Sequence, residues 1–189
     1  MNLRKYFWAM RALIYKFRFG KCGSFNYIGK TTNISNHAKN IRLGNRVRIY
    51  PGLRAEIVDD QGKITIGDDV SIGQNLQITS YHGNLTIGNH VTIAGNVLIS
   101  NNDHTYYQID KSILKQPLNY KPTKIKDGCF IGYGCVILAG AQLGKHCIVG
   151  ANSIVKAGNY EDYSVLVGAP ARIVKKYNKI NKKWESVKL

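Results

Sequence analysis

The sequence predicts an all-β fold, a parallel β-helix of six-residue repeats, and three observations predict it. Aliphatic residues recur every six positions: at Ile66, Ile72 and Ile78; at Ile87, Ile93 and Ile99; and at Ile131, Ile137, Leu143, Val149 and Val155. Glycine often follows directly, as at Gly67, Gly73, Gly88, Gly132, Gly144 and Gly150. Four positions after each aliphatic comes a second small or apolar side chain: Val70, Leu76, Val91, Val97, Cys135, Ala141, Cys147 and Ser153. A period of six fits no helix of about 3.6 residues per turn. It fits short strands with two inward positions each, separated by tight glycine-assisted turns. Three such strands close a triangular coil, and coils stack about 4.8 Å apart through backbone hydrogen bonds. Stacking then supplies the core that no single repeat can bury by itself.

The elements follow in order. Residues 3–17 carry a stripe of Leu3, Phe7, Met10, Ile14 and Phe17, with Tyr6 and Leu13 alongside, and Arg4, Arg11 and Arg18 on the other face. This is an amphipathic helix, and residues 1–24 are read as an N-terminal basic unit. Its stripe is expected either to cap the open end of the β-helix or to attach to an anionic membrane. Residues 25–177 form the β-helix. Its first coils repeat less cleanly, with Ile28, Ile34, Ile41, Leu43 and Ile49 as their inward residues. Tyr81-His82-Gly83 is a small corner loop. The gap between Ile99 and Ile131 extrudes a loop over roughly 101–124, and long loops on rigid repeats are usually functional. Val165, Leu166 and Val167 make a last strand, Ile173 and Val174 start a short C-terminal helix, and residues 178–189 are a solvated, partly disordered basic tail.

Lysine and arginine total 27 against 11 acids in 189 residues, a formal net charge of +16. The imbalance sits at the ends: residues 1–55 hold twelve basic side chains and no acid. Such a balance favours anionic partners. The four cysteines, Cys22, Cys129, Cys135 and Cys147, form no CxxC pair or zinc spacing, and the last three fall at small inward positions, as core filling. With no signal peptide and no apolar run of membrane-spanning length, the expected address is cytoplasmic, with a peripheral place at the inner membrane face open.

Together, the repeats, the segment Asn102-Asp103-His104-Thr105 after Ile99 and the terminal Val167-Gly168-Ala169-Pro170-Ala171-Arg172 resemble the hexapeptide-repeat acyltransferases, in the group of galactoside, maltose, O-antigen and capsule O-acetyltransferases. The resemblance covers roughly residues 60–176. It implies a left-handed β-helix, a homotrimer with sites between neighbouring subunits, and acetyl-CoA as co-substrate with no metal required. It implies O-acetyl transfer to a sugar or lipid-linked glycan acceptor, as in surface polysaccharide synthesis; a small soluble sugar, an amino sugar or an antibiotic is the alternative. By the same resemblance His104 is the catalytic base. Asp103, or a backbone carbonyl, orients the other nitrogen of its ring. A neutral imidazole can take the acceptor proton at neutral pH. The positions matching the acetyl-CoA groove are Tyr133, Ala139, Ala151, Lys156, Ala157, Arg172 and Lys175. Gln74, Asn75 and His82 are candidates for the acceptor pocket, with a plain surface residue the favoured alternative for His82. His90 and His146 read as exposed turn residues.

Three rival readings fit the sequence less well. A zinc hydratase on this fold needs a histidine pair five residues apart, and the histidine spacings here are 45, 8, 14 and 42. A nucleic-acid-binding module is disfavoured because the basic residues concentrate at the ends and no binding motif is present. A non-catalytic basic scaffold leaves His104 and the terminal cations unexplained.

Overall fold

The structure is a computed structural model that describes residues 3–187, with the side chains of Leu3 and Arg4 outside the description. Its wall is three parallel sheets, with seven coils in the longest parallel stack. One face stacks Lys21–Cys22, Ile41–Leu43, Lys63–Ile66, Asn84–Ile87, Lys124–Ile125, Ala141–Leu143 and Gly158–Tyr160. A second starts at Tyr27–Ile28 and a third at Asn33–Ile34, so the early, irregular coils are true coils.

Register turns the six-residue period into columns. Leu43, Ile66, Ile87, Ile125 and Leu143 stand one above another on the first face. Ile49, Ile72, Ile93, Ile131 and Val149 do so on the second. Ala55, Ile78, Ile99, Ile137 and Val155 complete the third. Nearly all are sealed from solvent. Cys129, Cys135 and Cys147 are buried among them as free thiols. Contact with Cys147 and burial push the Cys129 thiol up, and burial does the same to Cys135, so both stay protonated as packing groups.

The corners are built from side-chain amides and carboxylates. At the corner between the first and second faces, Asp68, Asn89, Asp127 and Asp162 each accept a backbone N–H from the preceding coil, at 2.7–2.8 Å. The corner residues Arg46, Asp69, His90 and His146 have φ of 52–56°, the left-handed conformation of a tight turn. His90 and His146 are exposed there, as the turn reading expects.

The ends depart from expectation twice. The helix α1, Leu3–Arg18, does cap the first coil and packs against Lys21–Cys22 and Tyr27–Ile28. But it does so with Trp8, Ala12 and Tyr15, followed by Phe19, and not with the predicted stripe. Tyr15 and Phe19 stack at 4.8 Å, and Trp8 meets Tyr50 edge-on at 5.4 Å. Arg11, expected on the polar face, turns inward and donates to the Ile28 carbonyl at 3.0 Å, satisfying a group on the open sheet edge. The helix is apolar on two arcs. The inner one wins because Ala12 allows close approach and the rings fill the coil end. Phe7, Met10, Ile14 and Phe17 are left 59–82% exposed.

At the other end, the segment expected to start a short C-terminal helix is a strand among the described residues. Ala171–Asn178 is a strand that returns antiparallel along Ser164–Gly168, and Lys183–Ser186 pairs with it in turn. The bare edge of the last coil offers unpaired N–H and C=O groups, and the β-branched Ile173 and Val174 favour strand over helix. Ile173 packs on the core. The segment expected to be a loose tail is thus a paired hairpin as far as the described residues go, with Tyr177 against Trp184 at 5.4 Å.

Candidate active site

The extruded loop leaves the solenoid after Leu98–Ser100 and rejoins it at Lys124–Ile125. Its stem is a small antiparallel ladder, Asn102–His104 against Leu118–Tyr120. Two polar residues clamp the neck. Asn101 is fully buried; its Oδ1 accepts the Tyr81 N–H at 2.8 Å and its Nδ2 donates to Ser80 Oγ at 3.2 Å. Thr123 donates to the Ser100 carbonyl at 2.8 Å and accepts the Gly140 N–H at 3.0 Å. The stem is thereby fastened to the coil below and the coil above. Tyr120 packs over Gly83, where any Cβ would collide with the phenol ring. Within the loop, the buried Gln116 amide ties Gln108 and Lys111 together. Asn101, Thr123, Gln116 and Tyr120 escaped the sequence reading. The one available signal was polar residues flanking the break in the period.

His104 ends the first strand of this stem and is exposed. The Asp103 carboxylate accepts the His104 backbone N–H at 2.9 Å, so it fixes the main chain. Among the described residues no hydrogen bond reaches the His104 ring. His82 lies at the corner beneath, 6.2 Å from the Tyr120 ring and 3.5 Å from the Asp59 carboxylate. Desolvation pulls the Asp59 pKa upward, but hydrogen bonds from the His82 and Gly62 N–H groups and the His82 ring outweigh it, leaving Asp59 below its ordinary value.

The remaining expected residues fall in three places. Ala139, Lys156 and Ala157 share the loop's corner, in the coils above its neck; a Cβ at Gly140 would come within 2.9 Å of Ala157 Cβ. Gln74, Asn75, Tyr133 and Ala151 line a different corner, between the second and third faces. There Asn75 donates to Asn96 at 2.9 Å, and Asn96 bonds the Tyr133 hydroxyl. Arg172 and Lys175 are exposed on the return strand Ala171–Asn178. One chain therefore brings His82, Asp103, His104, Ala139, Lys156 and Ala157 to one edge and does not bring Gln74, Asn75, Tyr133 or Ala151 to it. Gln74 and Asn75 instead line a cavity of about 950 Å³ with Lys5, Trp8, Lys30 and Tyr50. A shallow polar edge with a free imidazole, small residues that bare the backbone, and nearby lysines can accept a thin amide chain and move a proton.

Residues 122–157 match the family described as bacterial transferase hexapeptide, six repeats. The chain is 30% identical over 153 residues to the "Probable acetyltransferase Rv3034c" of Mycobacterium tuberculosis, covering 81% of this chain and 43% of that protein. It is 29% identical over 141 residues to the galactoside O-acetyltransferase of Lactococcus lactis, covering 74% of this chain and 55% of that one. The chain thus spans about half the length of these curated relatives. Its fold is also that of the Bacillus cereus N-acyltransferase AntD, solved with dTDP and 3-hydroxybutyryl-CoA: TM-score 0.74, 21% identity, 90% of each chain covered. Residues 122–157 are thus a run of bacterial transferase hexapeptide repeats, and the same coils continue on either side of them.

Proposed function

We propose that this chain transfers an acetyl group from acetyl-CoA to a hydroxyl of a sugar or lipid-linked glycan, with His104 as general base. The observation that carries this reading is an exposed imidazole on a stem fastened at both coils by Asn101 and Thr123. A rigid mount with an open ring is what a general base needs, since a misplacement of about 1 Å can cost roughly a hundredfold in rate. His104 takes the hydroxyl proton as that oxygen bonds to the thioester carbonyl carbon. The carbon–sulfur bond then breaks, and the imidazolium returns the proton to the departing sulfur.

The donor fits the residues present. Ala151 and Ala157 are exposed and leave backbone groups accessible to a pantetheine amide chain, whereas Ala139 is buried and contributes only the small volume of its corner; Arg172 and Lys175 are exposed cations suited to the phosphates. The two relatives named above carry the names "Probable acetyltransferase" and galactoside O-acetyltransferase, and the fold neighbour was solved with an acyl-CoA. The site is completed, on this reading, by neighbouring copies in a homotrimer. The loop tip supports that: Tyr107, Ile109 and Leu114 are 76–95% exposed in the single chain, and the acceptor candidates Gln74 and Asn75 sit on a different edge from His104. His82 serves as an acceptor contact beside the loop.

The test is thiol release from acetyl-CoA across a panel of free sugars, amino sugars and lipid-linked glycans. His104→Ala should lower turnover about 10²–10⁴-fold with an unchanged melting temperature. Turnover at the unsubstituted level would remove His104 from the mechanism. A preference for amine over hydroxyl acceptors would replace O-transfer by N-transfer at the same base.

A further inference from the structure

At about 3.6 residues per turn, Tyr6, Phe7, Met10, Leu13, Ile14 and Phe17 fall on one arc of α1, and all six are exposed by half or more. The opposite arc is already filled: Trp8, Ala12 and Tyr15 close the end of the solenoid. The outward arc therefore has no work left within this chain. Its borders are cationic on both sides, with the exposed Lys5 and Lys16 along one and the exposed Arg18 along the other. No acid occurs in residues 1–55. Six large apolar side chains held in water are unusual for a soluble surface and mark a contact site.

We propose that the outward face of α1 docks on an anionic lipid surface. Charge decides the occupant. A second copy laid face to face would set the same cations beside each other with no carboxylate in the segment to compensate, and such like-charge juxtaposition is costly. An anionic bilayer supplies both halves of the match: acyl chains for the apolar arc and headgroups for its basic shoulders. At 16 residues the helix spans about 24 Å lengthwise, so it lies in the interface plane. No helix among the described residues is long and apolar enough to cross a membrane. Lys5 and Trp8 also line the cavity with Gln74 and Asn75, so docking brings that cavity close to the lipid. The inference does not depend on acetyl transfer; it would hold for any chemistry at His104.

The experiment is co-sedimentation of the full chain with phosphatidylglycerol-containing and pure phosphatidylcholine vesicles, at low and high salt, beside light scattering of the same samples. The expected result is binding to anionic vesicles only, weakened by salt. Ile14→Ser/Phe17→Ser should lower partitioning about a hundredfold with the melting temperature held. Lys5→Glu/Lys16→Glu should lower it about tenfold or more. No sedimentation with anionic vesicles at low salt would overturn the proposal. So would equal binding by unsubstituted chain and either variant. A fall in oligomer size in Ile14→Ser/Phe17→Ser, with no vesicle binding by the unsubstituted chain, would also overturn it and assign the face to a second copy.

Discussion

Helix α1 and the extruded loop both break the six-residue rhythm, and both leave large apolar side chains uncovered, yet they are fastened by opposite means. The helix is held by ring burial, through Tyr15, Phe19 and Trp8 against the first coil. The loop is held by hydrogen bonds, through Asn101, Thr123 and Gln116. Their exposed faces differ in the same sense. The outward face of α1 is bordered by cations alone, which suits lipid headgroups. The loop tip mixes Asp110 with Lys111 and Lys115 around Ile109 and Leu114, which suits another protein surface. An element fastened by packing can carry a greasy outer face without strain, because its own fold does not need that face. An element fastened by directional bonds holds one geometry, which is what a catalytic side chain at its base requires.

The sharpest way to break this comparison is to exchange inner for outer rings. Phe19→Ala removes a ring that is 3% exposed and stacked on Tyr15, and should cost about 3–5 kcal/mol, read as a lower urea midpoint. Phe17→Ala removes one that is 82% exposed and should stay within about 0.5 kcal/mol of the unsubstituted chain. Equal losses would mean that the outer arc is packed and the assignment of faces is wrong.

A middling effect belongs to the loop. Asn101→Ala leaves the Tyr81 N–H and the Ser80 hydroxyl short of a partner at a fully buried point, which should cost about 1–3 kcal/mol. Because the neck is loosened, limited proteolysis across residues 105–115 should accelerate while the coils stay protected. Unchanged cleavage would show that the stem stands without its clamp.

The contrast also explains what could be read in advance. The columns of Ile66, Ile87 and Ile125 or Ile72, Ile93 and Ile131 follow from a short-range period, so the coils, the inward cysteines and the extruded loop were legible. His104 was singled out through a motif rather than a rhythm, and its role stays a proposal. The arc of α1 that caps the coils was not legible, because two apolar arcs on one helix are equivalent until a partner surface chooses between them. The C-terminal strands were missed for a related reason. Ala171–Asn178 is recruited by the open edge of Ser164–Gly168, a tertiary cause of which the β-branched Ile173 and Val174 are the only local sign. Asn101 and Thr123 act through partners a coil away, at Tyr81 and Gly140, and a list of residues does not display that pairing.

The smallest effect tests the corner on which the loop rests. Asp59 accepts the Gly62 N–H at 2.8 Å and the His82 N–H at 3.0 Å, and its carboxyl lies below the ordinary value of 3.8. A carboxylate depressed in the folded state contributes stability that is fully present above the ordinary value. That contribution is lost as pH falls through the lower, folded value. Asp59 is only partly buried, with 24% of its side-chain surface exposed at a solvated corner, so its share should be below about 1 kcal/mol. Asp59→Asn should therefore lower the urea midpoint slightly at pH 7 and flatten its decline below pH 4, where the unsubstituted chain still titrates. The amide oxygen can keep accepting both N–H groups, so the corner should hold its shape and His104 its turnover. An acid decline as steep in Asp59→Asn as in the unsubstituted chain would place the titrating carboxylates elsewhere. The corner ladder is then the next place to look, since the Lys145 N–H holds Asp162 below its ordinary value in the same way. A tenfold or larger fall in turnover in Asp59→Asn would instead show that charge at this corner, and not only its hydrogen bonds, positions the loop.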